Sequence, residues 1–291
     1  MSLQSLVDYF NDQFEQEHRS HYRRPFILEN GRVSGLFGPI RIGPIRISSV
    51  FAPLRAGSQA PIAGHVSACA VSTYDDDFQH TRIVDCADLL TDVIKQSVDF
   101  QSIINIDRLC RTVHLLNALA IIDLGDVLIL DVEPRHILGI KQDHGAYFEE
   151  IITKCGLETK RIAISMTANP FYALHHTQLL EGLNNYRHRG YQIALNVGQL
   201  YAAHGVTDLV TKLSPDYLRV TVLENNDSNP SVHALFPALS ALKTFINGIG
   251  GRVVLQQQNP KEQSLIASKL GFDLIQGCFY DNRTVDALRC L

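Results

Sequence analysis

A hard divalent cation takes oxygen ligands, several of them carboxylate, so the first thing to look for in this chain is carboxylates gathered at strand ends. The strand-like run Tyr191–Leu195 ends in Asn196, Val197 and Gly198, which are an amide, an apolar side chain and a turn residue. The run Val127–Val132 carries Asp131, Tyr217–Val222 carries Arg219, and Arg252–Gln256 ends in Gln256-Gln257-Gln258. One carboxylate, one guanidinium and a set of neutral amides do not make a metal site. Asp131 and Arg219 suit either a salt bridge inside a barrel mouth or the binding of a polar ligand. The glutamines suit either a ligand or solvent.

Other polar groupings carry less. Asp75-Asp76-Asp77 follows Tyr74, but three consecutive carboxylates cannot all face one ion, and no EF-hand spacing follows. His175 and His176 are adjacent and point apart on a helix. Gly248–Gly251 follows a helical run and precedes a strand-like one, the order of a helix stop rather than of a phosphate loop. Arg19, Arg23 and Arg24, with His18 and His21, offer either an anionic contact or a solvated helix end. The sequence has no GxSxG elbow and no Walker loop. Asn226-Asp227-Ser228 and Asn282-Arg283-Thr284 match the glycosylation pattern, which has no meaning for a cytoplasmic chain.

The elements that must position these residues alternate along the chain. Near-continuous apolar strands are predicted at Val127–Val132, Arg161–Met166, Tyr191–Leu195, Tyr217–Val222, Arg252–Gln256 and Asp273–Gln276. Helical spacing falls between them, near Tyr147–Lys154, His176–Tyr186, Thr207–Leu213, Ser231–Asn247 and Lys261–Leu270. Two earlier helical runs, Val84–Ile94 and Ile106–Leu119, precede the first of these strands. That alternation implies a parallel sheet covered by helices. Two earlier strands, Ser48–Leu54 and Gly64–Ser72, are joined by a short turn and therefore run antiparallel to each other. The resulting expectation is an α/β fold, a (β/α)8 TIM-like barrel with one antiparallel early strand.

Residues 1–47 form an N-terminal extension ahead of a barrel domain at 48–291. Leu3, Leu6, Val7, Phe10 and Phe14 predict an amphipathic helix capped by Ser2 and ending near Ser20. The Gly- and Ile-rich stretch 31–47, with GPIRI repeated at 38–42 and 43–47, reads as an irregular ribbon, because two prolines exclude a central strand. With 291 residues, 45% of them hydrophobic, the chain can bury a full core. A net charge of -4 argues against a dedicated nucleic-acid binder. The six cysteines contain no CxxC pair and suit a reducing compartment. No signal peptide or membrane span is read, so a soluble, cytoplasmic protein is expected.

Four segments, in order, resemble the EAL-domain cyclic di-GMP phosphodiesterases. LILDVEPRHI at 128–137 is similar to that family's Leu-Asn-Val strand, and SPDYLRVTV at 214–222 to its Pro-Asp-Tyr-Leu-Lys-Ile-Asp strand. GRVVLQQQNP at 251–260 sits where the family has Val-Val-Ala-Glu-Gly-Val-Glu-Thr, and GFDLIQG at 271–277 matches its closing turn. The similarity runs over about residues 48–283.

The resemblance implies a site in which two divalent cations polarise a phosphodiester and activate water, and it assigns positions one at a time. The signature Glu falls at Val66, or at Ser67 one register on, and the phosphate-contacting Arg falls near Ala70. The metal-binding Asn becomes Asp131, the next metal-binding Glu becomes Ser165, and the paired Asp residues become Asn196 and Val197. The water-positioning Lys is near Arg219, which keeps its proton. The following Asp becomes Thr221, the Glu of the Ala-Glu-Gly run becomes Gln256, and a loop-supporting Glu falls near Asn259. Gln276 alone stands unchanged.

The expectation is a barrel with no metal site, no cofactor and no phosphodiesterase activity. As the resemblance has it, such a protein works by binding another protein in bacterial motility, biofilm or virulence signalling. Two other readings stand beside it: a cyclic di-GMP receptor without turnover, using Asp131, Arg219 and Gln276, and a residual hydrolase. The resemblance also suggests a homodimer paired through helices near the barrel mouth.

Overall fold

The computed structural model describes residues 1–17, 22–38, 45–56, 60–73, 82–84, 100–199, 207–221, 232–256 and 270–276. Its strands are β1 (Phe26–Glu29), β2 (Arg32–Phe37), β3 (Ile45–Arg55), β4 (Ile62–Thr73), β5 (Arg82–Val84) and β6 (Val127–Asp131). They continue with β7 (Ile162–Thr167), β8 (Gln192–Gln199), β9 (Tyr217–Thr221), β10 (Arg252–Gln256) and β11 (Leu274–Gln276). The helices are α1 (Leu3–Gln16), α2 (Phe100–Ala118), α3 (Pro134–Gly139), α4 (Ala146–Lys154), α5 (His176–His188), α6 (Thr207–Leu213) and α7 (Val232–Gly248).

A closed ring runs β3-β11-β10-β9-β8-β7-β6-β4 and back to β3. From β4 through β6 to β11 every neighbouring pair is parallel. β3 is antiparallel to both of its ring neighbours, β4 and β11. This is the TIM-like α/β barrel with one reversed early strand that the alternation of elements predicts. The reason for the reversal is local: the connection from β3 to β4 is too short for a helical crossover, so it must be a hairpin.

Two apolar layers follow from the period of two along each strand. Leu54, Val66, Val127, Ile129, Ala163, Ala194, Tyr217, Val254 and Leu274 fill the barrel interior. The alternate residues, such as Leu128, Leu130, Ile164, Ile193, Leu195, Leu218, Val253 and Leu255, face outward into a second core under the helices. Gly64 on β4 is required by close approach, because a Cβ there would collide with the backbone carbonyl of Val127 on β6.

Three local expectations are corrected. The stretch before the barrel is not an irregular ribbon. It is a regular β1–β2 hairpin whose second strand pairs with β3 at Gly35–Ile47, Leu36–Arg46 and Phe37–Ile45. Pro39 and Pro44, with residues 39–44 of the repeated stretch, lie outside the described residues. The hairpin is held to the helices by two asparagines, the buried Asn11 and the half-buried Asn117. Asn11 Nδ2 donates to the Phe26 carbonyl at 2.9 Å and its Oδ1 accepts from the Phe26 N–H at 2.8 Å. Asn117 does the same for Val33, at 2.7 Å in both directions. Helix α1 ends at Gln16, earlier than expected, and its apolar face packs inward, with Phe10 and Phe14 in the outer core. Finally, Val84 ends a short strand, and the rest of the helix predicted at Val84–Ile94 lies outside the described residues. The helix predicted at Lys261–Leu270 and the acidic triplet 75–77 lie outside the described residues.

Candidate functional site at the barrel mouth

In six consecutive ring strands an inward apolar residue is followed two positions later by an inward polar one. The pairs are Ile129/Asp131, Ala163/Ser165, Ala194/Asn196, Tyr217/Arg219, Val254/Gln256 and Leu274/Gln276. The first member of each pair belongs to the apolar barrel interior. The second members form a polar layer above it, at the C-terminal ends of the strands, where barrel enzymes place their chemistry.

Arg219 is the hub of that layer. It is 4% exposed. Its Nη1 donates to Asp131 Oδ1 at 2.9 Å and to Ser165 Oγ at 2.9 Å. Its Nη2 reaches Gln256 Oε1 and Gln276 Oε1, each at the longer distance of 3.4 Å. Gln256 Nε2 in turn donates to Asn196 Oδ1 at 2.8 Å, and Asn196 Nδ2 lies 3.4 Å from Thr167 Oγ1. Among the described residues Arg219 Nε has no hydrogen-bond partner. Asp131 is therefore committed to an ion pair with the guanidinium, one of the arrangements the sequence allows.

Position by position, the structure brings Asp131, Ser165, Asn196, Arg219, Gln256 and Gln276 into one network. Thr221 lies two residues beyond Arg219 on β9, on the same face, and pairs in register with Gln256. Val66 is buried in the barrel interior beside this layer, and Ala70 is buried further along β4. Ser67 is buried too, and its Oγ donates to the Ile129 carbonyl at 3.2 Å. Val197 does not join the site. It packs in the outer core under the helices, on the opposite face of β8 from Asn196. Asn259 lies outside the described residues.

Strand β8 also departs from expectation. It does not stop at Asn-Val-Gly but continues to Gln199, with an irregularity against β9 between Asn196 and Gln199. Gly198, at φ 61°, absorbs the bend, and its N–H donates to Asn196 Oδ1 at 3.0 Å. This Asx-type contact fixes the side chain that Gln256 then grips.

Sequence reasoning missed Glu133, two residues past Asp131. It is buried, caps α3 through the Arg135 N–H, and accepts from Arg135 Nε at 2.6 Å. Burial pushes its carboxyl up, against the pull of Arg135. A carboxylate directly before Pro134 is a helix-start signal, and that is its role here.

A divalent cation does not fit this donor set. The layer offers one carboxylate, hydroxyls and amides, and a fixed guanidinium already occupies the Asp131 oxygen. Among the described residues no group of three or more His, Cys, Asp or Glu converges as a metal site.

The Bacillus subtilis YkuI protein, with an EAL domain and in complex with c-di-GMP and calcium, resembles this chain with a TM-score of 0.62 at 18% identity, covering 81% of this chain and 55% of that one. The fold is that of an EAL domain. The manganese/cyclic-diGMP complex of Klebsiella pneumoniae BlrP1 gives 0.61 at 12% identity, over 80% of this chain and 55% of its own. An EAL domain protein from Listeria monocytogenes gives 0.57 at 11% identity, over 84% and 91%. The chain thus spans about 55% of the length of the first two. No family model matches the sequence, and no curated protein is matched by it. Among the described residues no helix is long and apolar enough to cross a membrane.

Proposed function

We propose that this EAL-like barrel is a non-catalytic regulatory module of bacterial cyclic di-GMP signalling that acts by binding another protein. The observation that carries the proposal is the Arg219 network. The mouth of the barrel holds a built-in monovalent cation, paired with Asp131 and ringed by Ser165, Gln256 and Gln276. Two-metal phosphodiester hydrolysis needs dications to polarise the phosphate and to activate water. A buried guanidinium supplies charge but neither an open coordination position nor a proton acceptor. Of the solved structures named above, YkuI is in complex with c-di-GMP and calcium and BlrP1 with manganese and cyclic di-GMP. In this chain Val66, Ser165, Thr221 and Gln256 supply no carboxylate at the positions where the family resemblance expects one.

The contact surface is best sought at the mouth end of the barrel. The turn Pro170–His175 follows β7 and displays Phe171, 82% exposed, and Leu174, 96% exposed. The apolar face of α1 is a poorer candidate, since its phenylalanines are already buried in the protein's own core.

A second reading has its own observation. The Arg219 Nη2 contacts to Gln256 and Gln276 are long, 3.4 Å each. The guanidinium therefore keeps donor capacity for a phosphate, as a non-hydrolysing cyclic di-GMP receptor requires.

One pair of measurements separates these readings. Incubation with cyclic di-GMP and Mg²⁺ or Mn²⁺ is expected to give no turnover, and metal-dependent hydrolysis above background would overturn the proposal. Calorimetric titration with cyclic di-GMP, with and without Mg²⁺, then decides between adaptor and receptor. Micromolar, Mg²⁺-independent binding that is lost in Arg219→Met would make the protein a receptor.

A further inference from the structure

A bowl of about 730 Å³ opens at the N-terminal end of the barrel, opposite the mouth. Small-molecule sites typically enclose about 300–1,000 Å³. Val127, Gln192, Tyr217, Arg252 and Leu274 begin β6, β8, β9, β10 and β11, and all five line the bowl. Its rim comes from residues 124–126, ahead of β6, and from the stretch around 156–161, ahead of β7. We propose that this bowl binds a small aromatic acid, a flat apolar ring system that carries one anionic group.

Charge decides the sign of the ligand. Arg161 Nε donates to the Asp126 carbonyl at 3.4 Å and its Nη2 to the Asp123 carbonyl, so neutral acceptors hold this guanidinium in place. Arg252 Nη2 donates to the Tyr217 hydroxyl. Among the described residues neither arginine pairs with a carboxylate. The other charges of the lining are engaged elsewhere. Lys160 pairs with Glu158 at 2.5 Å. The Asp126 carboxylate, with 8% of its side chain exposed, accepts from the Asp123 N–H at 3.1 Å and lies 3.9 Å from His65 Nδ1. Three cationic side chains thus stand against two carboxylates, and the two uncompensated ones are both arginines. A cationic ligand is disfavoured, and an acid group meets donors suited to it.

The apolar part of the lining decides the rest of the ligand. Tyr217, Val127 and Leu274 belong to the packed barrel interior and make a fixed apolar floor. Leu124 at the rim is 96% exposed, and Leu157 beside it is half-buried. An apolar body seated against them removes that surface from water.

Arg252 favours a ring as that body. Its guanidinium carbon lies 4.6 Å from the centre of the Tyr217 ring, so one face of the group is stacked, while the residue itself is exposed. A second ring laid on the opposite face completes a sandwich around the guanidinium. The in-plane N–H groups remain available to the acid group of the same molecule.

The test is calorimetric titration of the full chain with naphthoate, naphthalenemethanol and naphthylmethylammonium, which share one ring system and differ in charge. Naphthoate is expected to bind saturably. The neutral alcohol should bind at least about tenfold more weakly, as when a charge-assisted hydrogen bond is lost, and the cation should not bind. Arg252→Gln, at an exposed position, should raise the Kd for naphthoate by about tenfold or more on the same grounds. Gly125→Glu is the second variant. Gly125 lines the bowl and an added Cβ there meets no atom within 4 Å, so a carboxylate enters the rim without a clash. It should weaken naphthoate and leave the alcohol nearly unchanged. Neither position belongs to the Arg219 network, so these losses place the ligand at this end of the barrel. Three results would each overturn the proposal: no saturable naphthoate binding, the alcohol binding as tightly as the acid, or naphthoate affinity unchanged in both variants.

Discussion

Arg219→Met tests whether the barrel mouth is organised around a fixed positive charge. The substitution keeps much of the side-chain volume and removes the cation. Asp131, 14% exposed at the side chain, then faces a barrel interior of apolar side chains without a counter-charge. Two unit charges about 4 Å apart attract by about 4 kcal/mol at an effective dielectric near 20. Breaking a buried pair by removing one partner costs about 3–5 kcal/mol. Water reaches Asp131 in part, so the lower end, about 3 kcal/mol, is expected. For a chain of this size that is a fall in Tm of about 5 °C. The same step deprives Ser165, Gln256 and Gln276 of a shared donor. Asp131→Asn should lose a similar amount, because it strands the guanidinium. The double variant should lose clearly less than the sum of the two, because a buried pair replaced as a unit is often close to neutral. Urea unfolding of all four proteins, with unchanged m-values, reads the coupling energy from the cycle. If Arg219→Met costs less than about 1 kcal/mol, or if the two losses simply add, the guanidinium is not the hub of the site.

Other expectations follow from the same geometry. Between Asp107, Arg111 and His136 there is one carboxylate for two cations, so burial wins and holds the His136 imidazole down at about 4. Arg111 and His136, in turn, hold Asp107 down at about 2. An unfolded histidine binds its proton near pH 6.5, so stability should fall as pH drops from about 6.5 towards 4, by up to about 1.4 kcal/mol per pH unit. His136→Phe should flatten that slope in unfolding titrations, and an unchanged slope would assign it to other groups. Phe10→Ala should cost about 3–5 kcal/mol by the same measurement, because the ring is fully buried; a loss of partner binding at full stability would instead make α1 a docking surface. Phe171→Ser with Leu174→Ser should leave stability within about 0.5 kcal/mol while weakening capture of the partner. Full capture by that variant would move the contact surface elsewhere.

Much of the barrel could be read before any coordinates. Predicted strand Arg252–Gln256 coincides with β10, and the other parallel strands agree to within a few residues, β8 apart. Those strands are apolar on both faces, and only a covered parallel sheet tolerates that. The β1–β2 hairpin escaped because Phe26–Phe37 mixes charged and small residues, and its order depends on two distant asparagines. No local pattern announces that Asn11 and Asn117 clamp the strand backbones. Val197 was placed at the site only by resemblance, yet its parity on β8 relative to Asn196 already sends it to the other face. The Asp107–Arg111–His136 cluster was not anticipated, since it joins α2 to α3 across intervening chain. Only the i, i+4 spacing of Asp107 and Arg111 was local enough to notice.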